Sequence, residues 1–212
     1  MPSFADRIAF WNRRIHFYLG LYFLSFLWLF LFTGLLLNHG TWNFAEFWTN
    51  RIQTDAVRRI QSPPAGGDLS QARDIMNQLG LRGEIEWTES RTGAGQLVFR
   101  VSRPGHIFEI RADAGQQTAT VRTIRLNNWG VARILHTFTG VRMTDHRNQR
   151  DWLLTTVWAY SMDALALGLI VMALGGVYVW WTQPLKRRLG AWALGLGVLA
   201  CGYFVFGLRW FA

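Results

Sequence analysis

The stretch RRIHFYLGLYFLSFLWLFLFTGLLLNHG, from Arg13 to Gly40, decides the class of fold because no Lys, Arg, Asp or Glu interrupts it between Ile15 and Leu37. A helix that rises about 1.5 Å per residue covers the roughly 30 Å of a bilayer's hydrocarbon core with such a run. A secretory signal peptide has a shorter apolar core, of about 7 to 15 residues, and no small-x-small cleavage site follows this run. The sequence therefore predicts a retained transmembrane helix over residues 15–38.

Two further apolar runs predict a second transmembrane helix over 151–182 and a third over 189–210. Pro184 and three basic residues lie between them, which predicts a cytoplasmic loop over 183–188. Residues 1–14 are also basic, and short basic flanks stay on the cytoplasmic side of a membrane. The expected location is a bacterial inner membrane, with the amino terminus in the cytoplasm and the segment between the first two spans in the periplasm.

That long segment predicts a small α+β domain. Residues 39–67 are rich in Trp and Phe and end in SPPAGG, which favours an interfacial segment followed by a linker. Residues 68–125 combine one amphipathic helical pattern with alternating strands, which the turn sequences RTGAG, RPG and DAG separate. Residues 126–150 predict an amphipathic interfacial helix. The predicted fold class is an integral membrane α-helical protein with three transmembrane helices and a small α+β periplasmic domain.

Composition narrows the classes of function. The formal net charge is +9, and fifteen arginines lie between residues 40 and 150. On the expected topology these arginines face lipid head groups, an acidic protein or an anionic ligand, and not nucleic acid; a solvated basic surface is the alternative. Cys201 is the only cysteine, which excludes an intrachain disulfide and covalent haem. No hydrolase elbow, phosphate-binding glycine loop or H-E-x-x-H motif is present.

The histidines at the ends of the spans suggest haem chemistry. His16 and His39 are about 34 Å apart on a straight helix, so they cannot ligate one metal together. The amphipathic segment after the periplasmic domain carries His136, which can approach His39 at the outer face. Two neutral imidazoles on opposite sides of a porphyrin would hold a b-type haem for electron transfer. Interfacial histidines that ligate nothing are the alternative.

The other candidate residues leave two interpretations each. His16 has no histidine partner on its side of the membrane, so it pairs with His16 of a second copy or lies at the interface as a snorkelling side chain. Asp163 is the only acidic residue within the spans, which favours either a polar contact with a neighbouring helix, through Thr33 or Ser25, or proton uptake coupled to reduction. His106 is expected to be structural, and His146 to be solvated.

Several short motifs resemble those of the PepSY-associated transmembrane family. They are Arg13 to His16 near the start of the first span, Thr33, Gly34 and His39 near its end, Leu135, His136 and Gly140 after the outer domain, Arg150 before the second span, and Gly176 to Trp180 at its exit. The helix and strands over residues 68–122 resemble a PepSY module. This resemblance implies similarity to iron-regulated membrane proteins and ferric-siderophore reductases, with b-type haem on His16, His39 and His136.

The leading hypothesis is a haem-binding inner-membrane protein that transfers single electrons and reduces ferric chelates at the periplasmic face. No flavin or nicotinamide site is recognisable, so electrons would come from quinol or a redox protein. Three spans and one small domain are fewer than the longer family members have, and the residues leave open whether the chain is itself an oxidoreductase. It could be a homodimer or a subunit of a larger membrane complex. The alternatives are a haem-free accessory or assembly subunit and a regulator of a periplasmic peptidase.

Overall fold

The computed structural model describes residues 3–91, 95–140, 150–207 and 210, and it divides into two compact units. One unit contains residues 1–25 and 164–212, and the other contains residues 26–163. The order of the elements is α1 (Phe4–Asn38), β1 (Ile52–Arg59), α2 (Asp68–Gln78), β2 (Glu84–Arg91), β3 (Gln96–Arg103), β4 (His106–Asp113), β5 (Thr118–Arg125), α3 (Asn128–Thr137), α4 (Leu153–Trp181) and α5 (Arg187–Gly202).

Three helical stretches are long and apolar enough to cross a membrane, as the sequence predicts. They cover Asp6–Asn38, Leu153–Trp181 and Pro184–Gly207, with mean hydropathies of 2.1, 2.0 and 1.8. Most of their side chains are exposed in the isolated chain, and apolar surface of that extent requires lipid or protein to cover it. The first helix begins at Phe4, so it continues through most of the basic segment assigned to residues 1–14.

Close helix packing explains two glycines of the unit formed by residues 1–25 and 164–212. A Cβ at Gly168 would collide with the ring of Phe23, which is buried. The side-chain amide of Asn12 donates to the carbonyl of Gly175 at 3.1 Å, and a Cβ there would meet Asn12. Both glycines therefore allow a side chain of α1 to lie close to the backbone of α4.

The other unit contains a five-stranded antiparallel sheet in the order β1-β5-β4-β3-β2. Strands β2 to β5 form a meander, as predicted, and α2 packs on one face of the sheet. The buried core between them is aliphatic and aromatic. Its best-buried members are Ala72, Ile75, Ile85, Phe99, Val101, Ile110 and Ala119.

Strand β1 is a correction to the sequence analysis, which placed residues 39–67 in an interfacial segment and a linker. Ile52–Arg59 instead pairs with β5 along its whole length, from Ile52 opposite Arg125 to Arg59 opposite Thr118. All eight residues are exposed, so this edge strand has no buried face. Without a buried face there is no selection for alternating apolar residues, which are the main sequence signal for a strand.

Charges alternate across the face of the sheet that α2 leaves open. Arg122 donates to Asp55 at 3.0 Å, and Arg100 donates to Glu109 at 2.8 Å. Arg100 also lies 3.6 Å from Glu86 on β2. These pairs neutralise part of the basic charge locally, and exposed pairs of this kind add little to stability.

Helix α3 is shorter than the interfacial helix that the sequence predicts. Helix α3 covers residues 128–137 of the predicted 126–150, and residues 141–149 lie outside the described residues. Its N-cap is Asn127, whose side chain accepts from the amide of Gly130 at 3.0 Å and donates to the carbonyl of Glu46 at 2.8 Å. The cap therefore fixes α3 to the segment that follows α1.

Candidate functional site

The ring of His136 lies against the last turns of α1. Its Nδ1 is 2.8 Å from the Thr33 hydroxyl, and its edge meets the ring of Phe30 at a centroid distance of 5.3 Å. Gly34 lies next to the same ring, because a Cβ there would be 3.4 Å from Cε1 of His136. The sequence analysis predicts that His136 approaches His39; the structure instead places His136 against Thr33, Phe30 and Gly34 of α1.

Hydrogen bonding determines which nitrogen of His136 carries the proton. The Thr33 hydroxyl has one hydrogen and lies 2.7 Å from the carbonyl oxygen of Leu29, which can only accept. Both close contacts are satisfied only when the hydroxyl donates to Leu29 and accepts from Nδ1–H of His136. In the neutral ring, Nε2 of His136 then carries a lone pair, which is the form of imidazole that binds a metal.

Arg133 fixes α3 to α1 one helical turn before His136. It is 8 % exposed, and its guanidinium donates to the carbonyl of Leu36 in the last turn of α1. The guanidinium also lies over the ring of Phe47, 4.9 Å from the ring centroid. A cation at the carboxyl end of a helix is favourable because the carbonyls there carry partial negative charge. Arg133 and His136 together hold α3 in one orientation.

The structure does not bring His39 to His136. His39 follows α1 directly, and its amide still bonds to the carbonyl of Leu35 at 3.1 Å. At about 100° per residue, it lies about 240° around the helix from Thr33 and about 9 Å further along. Its ring is exposed and stacks on Trp42 at a centroid distance of 4.4 Å. The His39–His136 pair therefore stays a prediction.

A series of aromatic contacts surrounds this end of α1. Consecutive ring centroids are 5.2, 6.1, 5.6 and 5.4 Å apart. The rings, in order, belong to Trp28, Phe32, Trp129, Phe44 and Trp42. With His39 stacked on Trp42, the series gives the last turns of α1 an apolar surface that suits a bilayer interface or a flat apolar ligand.

Two other candidate residues, His16 and Asp163, lie within the described part of the chain. His16 is exposed on α1 in the other unit, and its pairing with a second copy stays a prediction. Asp163 is exposed on α4, and the Thr33 hydroxyl that was suggested as its partner bonds to His136 instead. His146 lies outside the described residues. Among the described residues, no group of three or more His, Cys, Asp or Glu side chains could hold a metal ion.

His106 has a basic environment. Its position on β4 is opposite Arg103 on one side and Arg125 on the other. Partial burial lowers the pKa of His106, and the two guanidinium charges lower it further. A neutral histidine between two arginines fits the structural role expected for it.

A cavity of about 620 Å³ was not predicted from the sequence. It lies where the end of the sheet, the segment after α1, and the carboxyl end of α3 meet. Its apolar walls come from Phe47, Trp48, Ile85, Trp87, Ile107, Leu126, Ile134 and Phe138. Glu84, Glu86 and Arg103 add charged groups to the lining. A volume of this size is typical of small-molecule sites.

Two acidic residues join the sheet to the start of α4. Glu84 on β2 accepts from the amides of Asp151 and Trp152 at 2.7 and 3.0 Å. Asp151 accepts in return from the amide of Ile85 at 3.2 Å and from Arg73 on α2 at 2.7 Å. A carboxylate at the amino end of a helix satisfies free amides and complements the helix dipole. We call Glu84, Asp151 and Arg73 the α4 clamp.

The α4 clamp should make stability depend on pH. Burial raises the pKa of Glu84 above its ordinary value of 4.5, against the amide hydrogen bonds that lower it. Because the folded state favours protonation, stability is highest below that value and is lost as pH rises through the folded-state pKa. The free energy of unfolding of the wild type should therefore fall, relative to Glu84→Gln, as pH rises above 4.5. Urea unfolding of the two proteins at several pH values measures this difference, and parallel curves would contradict it.

Comparisons of the chain with protein-family models, curated proteins and solved structures found no match. The resemblance to the PepSY-associated transmembrane family therefore rests on the sequence motifs alone. It stays a hypothesis, and the geometry of the site has to carry the functional argument.

Proposed function

We propose that this chain is a bacterial inner-membrane protein that binds b-type haem through His136 and His39 near the periplasmic face and transfers single electrons. In this proposal the amino terminus is cytoplasmic and the sheet domain is periplasmic. Ferric chelates are the proposed acceptor, and quinol or a redox protein is the donor. The observation that carries the proposal is the hydrogen bond between Thr33 and Nδ1 of His136.

That hydrogen bond is the arrangement in which a histidine is held as a ligand. Metal-ligating histidines almost always donate their other ring N–H to a fixed acceptor, which sets the tautomer and the ring orientation. The Thr33 hydroxyl is such an acceptor, because it is 1 % exposed and its own hydrogen is directed to Leu29. Arg133 already fixes α3 to α1 through a buried contact. Holding α3 in place therefore does not require that Nδ1 of His136 carry the proton.

His136 meets the requirements of an axial ligand, and His39 meets them only in part. His39 is exposed and follows the same end of α1, but its ring stacks on Trp42. The proposal therefore requires the exposed His39 side chain to leave Trp42. When bound, haem would supply a reversible one-electron couple of its iron, whose potential depends on axial ligands and burial. Thr33 would hold the imidazole, and Phe30 would keep water from its edge.

The cheapest test is the absorption spectrum of the protein purified in detergent. A dithionite-reduced minus oxidised difference spectrum should show the sharp bands of a low-spin haem. A pyridine extract should give the spectrum of non-covalent haem b, since Cys201 is the only cysteine. A featureless difference spectrum, even after expression with added haem precursor, would overturn the proposal and favour the accessory-subunit alternative.

A further inference from the structure

The walls of the cavity are held in place by contacts outside it. The ring of Phe47 lies between the Arg133 guanidinium and Gly130, where a Cβ would come within 3.0 Å of it. The carbonyl of Phe138 accepts from the indole N–H of Trp158 on α4 at 3.2 Å. Glu84 is held by the amides at the start of α4. Because these contacts do not depend on an occupant, the cavity is a largely preformed space.

The charges around the cavity disfavour ionic ligands of both signs. Glu84 and Glu86 on the β2 wall outnumber Arg103, the one basic residue of the lining, so the lining has a net negative formal charge that disfavours a carboxylate or phosphate. A guanidinium already lies over each of three aromatic rings of the wall, at 4.5 Å from Trp48, 5.8 Å from Trp87 and 4.9 Å from Phe47. An organic cation would meet these charges instead of free aromatic faces. A neutral ligand is the class that remains.

The hydrogen-bonding groups of the cavity favour a neutral ligand that donates hydrogen bonds. The carboxylate of Glu84 receives two backbone amides, and a carboxylate has about four lone-pair positions, so acceptor capacity remains. The aromatic walls suit a flat ring, which stacks or meets other rings edge to face. A flat neutral ring with hydroxyl groups, such as a hydroquinone, combines both properties.

The position of the cavity suits a ligand that reaches it from the bilayer. Phe47 and Trp48 follow the end of α1 by only nine and ten residues, and Glu84 contacts the first residues before α4. Two apolar helices thus end or begin beside the cavity. We propose that the cavity binds the ring of a membrane quinol, with its apolar tail directed to the lipid.

The same helix connects this cavity with the candidate haem ligand. Ile134 and Thr137 of α3 line the cavity, whereas Arg133 and His136 of α3 contact α1. The cavity and His136 therefore lie on different sides of one helix. Quinol binding itself does not depend on haem, but a role for the quinol as electron donor rests on the proposed function.

Quenching of tryptophan fluorescence by decylubiquinone and decylubiquinol measures the binding, because Trp48 and Trp87 line the cavity. Quenching should be saturable in the wild type. Ile107→Phe adds bulk inside the cavity and should weaken binding about tenfold, since overfilled sites tolerate little extra volume. Val57→Phe adds the same ring type on an exposed strand and should leave binding unchanged. Trp87→Leu, at a site that is 39 % exposed, removes one aromatic wall without filling the cavity and should also weaken binding.

The outcomes separate this inference from the haem proposal. Quinol binding and haem content are measured separately on the wild type, so absence of haem bands with retained quinol binding would remove only the donor role. Non-saturable quenching, or equal binding by Ile107→Phe, Trp87→Leu and the wild type, would overturn the inference. Displacement by laurate would assign the cavity to anionic amphiphiles, and displacement by choline would assign it to organic cations. Either displacement would also overturn it.

Discussion

Replacing His136 by alanine should abolish the haem bands. The variant removes the one imidazole that the structure both orients and leaves with a free Nε2 lone pair, and no second ligand of that kind lies in the described part of the site. Haem content per protein, from the pyridine extract, should fall to background. The fold should persist, because Arg133 still bonds to α1 and His136 is only half-buried. A circular dichroism melt in detergent checks that condition.

Three further variants distinguish ligation from a general effect of losing a histidine. His106→Ala is the matched control, since His106 lies on β4 between two arginines, and it should keep the bands. His39→Ala should retain some haem but convert it to a high-spin form with one protein ligand. Thr33→Val keeps the shape of the side chain and removes the acceptor for Nδ1–H, which should weaken haem binding about 10- to 100-fold. Unchanged bands in His136→Ala would contradict the ligand assignment.

Of all the substitutions proposed, Gly140→Val should lower the free energy of unfolding the most. Gly140 has a φ of +64°, and a Cβ there would collide with the methyl group of Thr155 and come within 3.1 Å of Glu84. Neither neighbour can move easily, because Thr155 is 1 % exposed and Glu84 holds the α4 clamp. Backbone strain and overpacking together should cost roughly 3 kcal/mol or more. The midpoint of urea unfolding, followed by the loss of sheet signal, measures the effect.

Gly80→Val separates backbone strain from collision. Gly80 has a nearly equal φ of +66° at the end of α2, but a Cβ there would meet nothing within 4 Å. This variant should carry only the backbone strain, which should lower its free energy of unfolding by about 1 to 2 kcal/mol. The difference between the two variants then measures the collision at Gly140. Equal losses of unfolding free energy in Gly140→Val and Gly80→Val would show that Thr155 and Glu84 move aside easily.

Local patterns predicted most of the fold. The apolar runs predicted the three long helices, because a run of about 20 residues has few other uses. Alternation between turn sequences predicted strands β2 to β5, since each of them contributes at least one buried apolar residue to the core beside α2. Strand β1 lacked that signal because both of its faces are exposed. The predicted helix over 126–150 was too long because Gly140, with its positive φ, lies in an extended connection after Phe138.

The sequence predicted only those parts of the candidate site in which the residue type itself indicates a chemical role, as a histidine does. A histidine in an amphipathic segment near a span predicted that His136 would approach His39, whereas its hydrogen-bond partner is Thr33. The partner Thr33 lies 103 residues away, and nothing in the local sequence joins the two. The cavity could not be predicted from the sequence either, because its walls come from separate segments that meet only in the folded unit. Glu84 of the α4 clamp bonds to Asp151 and Trp152, which follow it in the sequence by 67 and 68 residues. No periodic pattern in the sequence indicates so distant a contact.

Strand β1 also affects how copies of this chain could associate. It leaves one edge of the sheet unpaired, and an unpaired edge can add strands from another molecule. Arg58 and Arg59 are exposed on this edge strand, and charged side chains on an edge are one of the features by which proteins prevent such pairing. Sheet extension between copies is therefore disfavoured. Self-association is expected through the three long apolar helices, which carry almost no charge to oppose it.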